Sequence, residues 1–296
     1  TDTLYADWSS STQDIIWNLR VANESEKTLV NGVVVQSIER VVLRTGLGDD
    51  QLVLSAQDDI ISAGAGNDLI ISGGGEDVIS GGAGSDLFID TPGGLNGDSI
   101  EDFSHEDAIS VWGVRFSGLI YEETSGLLKL DTDGNGSYET SLWLPTQLNQ
   151  AGFRIQESTA DQDAYTQIWF VGDTDGDGIP DDEDNAVFVP NADQRDTDGD
   201  GYANIIDADL NQDMVVDFFD LSMLDGTFFT SDANADFNGD GIVDFFDLSL
   251  MDGMFGQAPG PSYVDGGYGL PPVAEDLFAA AEAQMAQLSG EAQAVI

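Results

Sequence analysis

Apolar residues recur along the chain in three rhythms, and each predicts a different kind of element. Between Thr45 and Ile89 one apolar position returns every ninth residue, at Leu52, Ile61, Ile70, Ile79 and Phe88, always two residues after an aspartate. That return fits neither a helix nor a long strand; it predicts short strands separated by turns. Upstream, DIIWNL and LVNGVVVQSIERVVL alternate apolar and polar residues as short strands, with Asn31-Gly32 as a hairpin turn. Downstream, within residues 117–171, GLIYEETSGLLKL, SYETSLWL and QIWFVG continue as strands. A helical rhythm follows Asp220 and Asp247, where Leu221, Leu224 and Phe228 match Leu248, Met251 and Phe255 as an apolar face. Residues 257–272 form a Pro/Gly linker. A last helix is predicted within 273–296, with Leu277, Ala281, Met285 and Leu288 on one stripe and Gly290 as its stop.

The nine-residue units are TGLGDDQLV, LSAQDDIIS, AGAGNDLII, SGGGEDVIS and GGAGSDLFI. Their sixth position is Asp50, Asp59, Asp68, Asp77 and Asp86; glycines stand at Gly46, Gly48, Gly64, Gly66, Gly73, Gly75, Gly82 and Gly84. The second unit has no glycine and carries Gln57 at position four. This pattern resembles the GGxGxDxUx nonapeptide of RTX proteins. Six residues make a turn and three a strand, so two units complete one coil of a parallel β-roll. Glycine suits turns whose backbone a Cβ would penalise. Turn carbonyls and the position-six carboxylates then enclose Ca²⁺, a hard cation that takes six to eight oxygens. The position-eight side chains stack into a thin core. Without the ion the stacked carboxylates repel, so folding and calcium binding are expected to be one event. Residues 1–44 read as capping strands, and DSIEDFSHEDAISVWG resembles the segment that closes RTX rolls, giving a roll with its cap over 45–116.

A second period begins at Gly172. Four twelve-residue windows place oxygen donors at positions 1, 3, 5, 9 and 12. They are Asp173, Asp175, Asp177, Asp181, Asp184; Asp196, Asp198, Asp200, Asn204, Asp207; Asp209, Asn211, Asp213, Asp217, Asp220; and Asp236, Asn238, Asp240, Asp244, Asp247. Position seven gives a backbone carbonyl, from Ile179, Tyr202, Val215 and Ile242. Gly178, Gly201 and Gly241 stand at the sharp-turn position six, where the third window has Met214. Position twelve is Asp where EF-hands have Glu, so the loops must close differently. DTDGNGSYE, from Asp131 to Glu139, is half of such a loop, with Leu142 at its twelfth position.

The first two windows, over 172–208, resemble a thrombospondin type 3 repeat pair, with Ala186 where that family has cysteine. The resemblance implies an extended, almost coreless spacer held by calcium alone. The last two, over 209–256, resemble a dockerin module: a duplicated loop and helix, the second copy 27 residues after the first. It implies that Phe218-Phe219 and Phe245-Phe246, at loop positions ten and eleven, contact a cohesin-like partner. Packing of these aromatics against the first helix or the preceding strands is the competing reading.

Composition narrows the function. The 296 residues carry 56 acidic and 8 basic side chains, a formal charge of −48, and all the basic ones lie at or before Arg195. That leaves no basic face for nucleic acid and disfavours an anionic membrane surface. No apolar run is long enough for a spanning helix. TDTLYADWSS lacks the features of a signal peptide, and the start in mid-pattern points to a processed protein or a fragment. Cysteine is absent, so disulfides and thiolate metal sites are excluded. His105 is the single histidine and reads as a polar cap residue; no HExxH, Cys-His or GxSxG arrangement is present.

The expected fold is therefore mainly β: a capped parallel roll with additional strands, an extended calcium-loop segment, a small α-helical module and a terminal helix. About seven calcium ions, three in the roll and four in the loops, would bring the charge to about −34. The expected function is non-enzymatic, extracellular calcium binding that stiffens the chain and presents a recognition module. A surface-layer or filament subunit assembling by calcium-dependent self-association is one alternative, and the non-catalytic tail of a secreted hydrolase is another.

Overall fold

The computed structural model of the chain describes residues 2–19, 27–28, 34–35, 38–158, 164–268 and 283–285. The Asn31-Gly32 turn and nearly all of the C-terminal helix lie outside the described residues. Two compact units divide between Phe170 and Val171.

In the first unit β1 (Thr3–Asp7) and β2 (Ile16–Asn18) make the first coil of a roll. Two short strands, β3 (Lys27–Thr28) and β4 (Val34–Val35), pair antiparallel before the second coil, β5 (Arg40–Arg44) and β6 (Gln51–Val53). The third and fourth coils are β7 (Ile60–Ala65) with β8 (Leu69–Ile71), and β9 (Val78–Ala83) with β10 (Leu87–Asp90). A short helix, α1 (Pro92–Leu95), capped by the Thr91 side chain, precedes the fifth, β11 (Ser99–Ile100) with β12 (Ala108–Trp112). There follow β13 (Gly118–Glu122), β14 (Leu127–Asp131), β15 (Thr140–Trp143), β16 (Phe153–Glu157) and β17 (Tyr165–Phe170).

The coils stack into two parallel sheets, β1-β5-β7-β9-β11 and β2-β6-β8-β10-β12. Each nine-residue unit contributes one strand, so strands of one sheet are 18 residues apart, as Leu52↔Ile70 and Ile61↔Ile79 show. Residues 117–171 extend the roll's own sheets: β15, β14 and β13 add to the first, and β17 and β16 to the second. Within residues 1–44, expected as caps, β1, β2 and β5 are strands of the roll itself. Trp17 pairs with Leu52 at position eight, and Ile15 stands level with Asp50, so the aspartate signal was missing there.

The core is the position-eight column from both sheets. Trp17, Leu52, Ile70, Phe88 and Ile109 face Leu43, Ile61, Ile79 and Ile100, all buried in one cluster that continues into Leu142 and Ile168. Full burial of each such side chain contributes roughly 1.5–3 kcal/mol.

In the second unit two helices, α2 (Phe218–Thr227) and α3 (Phe245–Met254), each follow an acidic loop. Val216, Leu224, Phe237, Val243 and Met251 form their shared core. The connections are reciprocal: Val216 bonds to Gly256 and Gln257 after α3, and Val243 to Phe229 and Thr230 after α2.

Residues 172–208 depart from the expected coreless spacer. Ala186, Tyr202, Ala203 and Ile206 bury a small apolar cluster of their own, so Ala186, in place of a cysteine, packs inside it. Arg195 donates to the Asp236 and Phe237 carbonyls and ties this segment to the fourth loop. The Pro/Gly segment also differs from a free linker. The Tyr263 N–H donates to the Asp184 carbonyl, Ser262 Oγ to Gly201 and Tyr202 OH to Asp265 (2.7 Å).

Candidate metal centre

The position-six aspartates form two columns, one at each turn face of the roll. In one, Ile15 N–H donates to Asp50 Oδ1, Asp50 N–H to Asp68 Oδ1 and Asp68 N–H to Asp86 Oδ1, at 2.7–2.9 Å. In the other, Val41 N–H donates to Asp59 Oδ1 and Asp59 N–H to Asp77 Oδ1, both at 2.7 Å. One oxygen of each carboxylate thus locks successive coils. The other, Oδ2, is buried and unpartnered at Asp50, Asp68, Asp77 and Asp86. A buried acceptor without a donor costs about 1–3 kcal/mol, more when charged. A hard cation among these oxygens removes that cost, so the donor set fits Ca²⁺.

Asp59 is the exception. Its Oδ2 accepts from the Ser55 N–H (3.0 Å) and Oγ (2.9 Å), so the glycine-free second unit satisfies its own carboxylate.

The glycines are there because the coils touch at the turns. Gly64 and Gly82 hold φ near +110°, and a Cβ on Gly82 would lie 1.8 Å from the Gly64 carbonyl oxygen. One on Gly81 would lie 2.2 Å from Asp86 Oδ2. Gly46, Gly48, Gly66, Gly75 and Gly84 likewise meet backbone of the preceding coil at under 3 Å. Gly73 has a positive φ of +99°.

Burial dominates the electrostatics. It pushes Asp68 up to about 8 and Asp86 up to about 7, with neighbouring carboxylates of the column adding to the shift. Asp50, Asp59 and Asp77 are raised too, chiefly by the same desolvation. These groups take up either protons or cations.

The columns run further than the five units. Asp77 N–H donates to Asp98 Oδ1 and Asp86 N–H to Asp107 Oδ1, both at 3.0 Å. Residues 93–101, GGLNGDSIE, are a sixth nonapeptide with Asp98 at position six and Ile100 at position eight; residues 102–110, DFSHEDAIS, are a seventh. Three extra residues, Asp90-Thr91-Pro92, break the register and hide them from a fixed period. A search that allowed one insertion finds them. Asp107, like Asp59, has its second oxygen taken by a serine, Ser104, through N–H (2.8 Å) and Oγ (3.1 Å). His105 is exposed in that turn.

In the twelve-residue loops the position-one aspartate organises the turn. Asp173 accepts from Gly176 and Gly178, Asp196 from Gly199 and Gly201, and Asp236 from Gly239 and Gly241, at 2.7–3.0 Å. Asp209 accepts instead from Asp213 and Met214, and Met214 is held at φ +70°. One oxygen from each of Asp173, Asp175 and Asp177 lies within 4.8 Å of the others, as do those of Asp196, Asp198 and Asp200. Asp175 and Asp184 each keep an unpartnered buried oxygen. Burial pushes Asp207 up to about 7, with the charges of Asp200, Asp198 and Asp209 adding. At position nine, Asp181 and Asn204 accept from Thr174 and Thr197 across the loop. The half-loop of Asp131, Asp133 and Glu139 brings its carboxylates equally close, and there Leu142 at position twelve is core.

In the last two loops positions nine and twelve build capping boxes. Asp217 accepts from Phe219 and Asp220 from Asn211 and Asp217; Asp244 and Asp247 repeat this with Phe246, Asn238 and Asp244. Aspartate suits position twelve here because a short side chain reaches the loop backbone and starts the helix at once. Asn211 keeps an unpartnered buried oxygen. Asp213 and Asp240 accept from Val215 and Ile242. Phe218, Phe219, Phe245 and Phe246 are 69–75% exposed, so within this unit they are not core. Phe218 meets Phe255 edge-on at 5.0 Å, and Phe245 meets Phe228 at 5.3 Å.

Comparison with curated proteins gives no match. Residues 53–88 match the family model of the RTX calcium-binding nonapeptide repeat, in four copies, so the roll carries a calcium-binding repeat.

Proposed function

We propose that the chain is an extracellular, non-enzymatic calcium-binding protein in which Ca²⁺ folds and stiffens each unit and the second unit presents a protein-recognition face. The observation that carries this reading is the set of buried, unpartnered Oδ2 atoms of Asp50, Asp68, Asp77 and Asp86, stacked at the turns of a roll whose residues 53–88 match a calcium-binding repeat. Proteins with this repeat are typically secreted, and millimolar external calcium suits weak oxygen sites. Among the described residues no helix is long and apolar enough to cross a membrane. The acidic side chains in the two repeat regions are engaged in turns and loops, which supports a binding role over acid-base chemistry.

The recognition face is the duplicated set Phe218-Phe219 and Phe245-Phe246, four large exposed aromatics set beside acidic loops. Such a patch marks a contact surface for a protein, and the partner is a cohesin-like or other extracellular protein. The test is calorimetry with calcium followed by light scattering of wild type and of a variant with all four phenylalanines replaced by serine. We expect calcium uptake and an unchanged fold in both, with a monomeric wild type. Calcium-driven assembly that the serine variant loses would favour self-association through this face, and failure to bind calcium would end the reading altogether.

A further inference from the structure

The loop and helix of the second unit occur twice, 27 residues apart, and the backbone keeps the two-fold relation. After α2 the Phe229 N–H donates to the Val243 carbonyl, and after α3 the Gly256 N–H donates to the Val216 carbonyl, both at 2.8 Å. The side chains at that shared position differ. Phe229 is held at φ +61°, in the left-handed region, and its counterpart Gly256 at φ +81°. A Cβ makes that conformation costly, whereas glycine adopts it freely. The fold therefore needs the turn at this position and not the ring. Burial does not offset the strain, since Phe229 is 69% exposed. Strain held at an exposed aromatic residue points to a contact made by the ring.

Gln212 and Met214 also hold positive φ where the second copy has Gly239 and Gly241, but they lie in the turn of the third loop and carry no ring. Phe229 enlarges an aromatic cluster. It meets Phe228 at 5.5 Å and Phe245 at 6.5 Å, and Phe228 meets Phe245 at 5.3 Å. Three rings thus stand where α2 ends and α3 begins. At the opposite end of the helix pair, where α2 begins and α3 ends, the contact among the described residues is the pair Phe218 and Phe255, and Gly256 adds no ring.

We propose that the two ends of the helix pair are unequal: the cluster of Phe228, Phe229 and Phe245 seats the partner, and Phe229 is its specificity-determining contact. The partner is a protein with an apolar face edged by lysine or arginine.

Charge selects that chemistry. Residues 196–268 contain no lysine, arginine or histidine. Asp225, Asp232 and Asp252 are exposed and lie outside the loop ligand sets, so calcium in the loops leaves their charge in place. A cationic edge complements these acids and can also lie over the phenylalanine rings. A second copy of this unit would set the same acids against them, which disfavours self-pairing.

Because this assignment rests on the recognition face proposed above, the experiment separates the two. The full chain in saturating calcium is titrated by calorimetry with a synthetic amphipathic helical peptide of leucine and lysine. Wild type is compared with Phe229→Gly, Phe218→Ser, Phe245→Ser and the four-serine variant. None of these changes alters the charge, so non-specific attraction to an acidic chain cancels. We expect Phe229→Gly to weaken binding about tenfold, the loss of one anchoring aromatic, without lowering the melting temperature. Phe245→Ser should weaken it more than Phe218→Ser. Wild-type affinity in Phe229→Gly, or equal losses in the two single serine variants, would overturn the unequal ends and leave the recognition face standing. A lowered melting temperature in Phe229→Gly would mark a structural role for the ring and overturn its assignment. A wild type that binds the peptide no better than the four-serine variant would overturn the face itself. Wild-type dimers in light scattering that Phe229→Gly dissolves would replace the basic partner with a second copy.

Discussion

A single aspartate in the roll does two jobs with two oxygens, and its neighbours decide whether the second job is for a cation. Where position two is glycine, Oδ2 is left open; where it is serine, as at Ser55, the hydroxyl fills the place. The pH response follows from the same burial. Asp68 is raised to about 8 and Asp86 to about 7, against about 3.9 in an unfolded chain. The folded state therefore binds more protons than the unfolded one between about pH 4 and 8, and stability of the calcium-free roll falls as pH rises through that window. Urea titration of the calcium-stripped chain should give a higher midpoint at pH 5 than at pH 8; the opposite order would contradict the burial argument. Glycine positions differ as sharply. Gly82→Ala, with its Cβ against the Gly64 carbonyl, should abolish cooperative folding of the roll, whereas Gly93→Ala, with nothing within 4 Å, should leave the melting temperature nearly unchanged. Met214 sits in the left-handed region, which costs a non-glycine residue about 1–2 kcal/mol, so Met214→Gly should raise the melting temperature of the second unit.

At the scale of elements, the nine-residue period located the strands, the turn glycines and the core column before any coordinates. It failed where chemistry was kept but register was not. Asp98 and Asp107 were invisible because three inserted residues displaced them; the strands before Thr45 were invisible as coils because Ile15, in the first coil, and Val41, in the second, occupy the aspartate position. The turns of the twelve-residue windows were legible for the complementary reason: the spacing from the position-one aspartate to the N–H groups it accepts from, inside one short turn, tolerates no insertion. What spacing does not encode is packing at a distance, so the small cluster around Ala186 and the grip of Arg195 on the fourth loop appear only in the fold. Two element-level outcomes follow. Phe88→Ala, at the centre of the column, should cost roughly 3–5 kcal/mol in chemical denaturation in saturating calcium. Asp247→Ala removes the N3 half of a capping box as well as a proposed loop ligand, so it should cost about 1 kcal/mol even without calcium, read as lost helical circular dichroism.

For the whole molecule the formal charge of −48 sets the terms. Much of it is concentrated at two kinds of turn, and in the roll it is buried where water cannot screen it. On the proposed reading, such a chain repels itself without cations and is ordered by them. The most direct measurement is a calcium titration of the metal-stripped chain, followed by far-ultraviolet circular dichroism and thermal melting. The account predicts a cooperative gain of β signal and a higher melting temperature as calcium rises, both reversed by a chelator. Superimposable spectra and melts with and without calcium would contradict it.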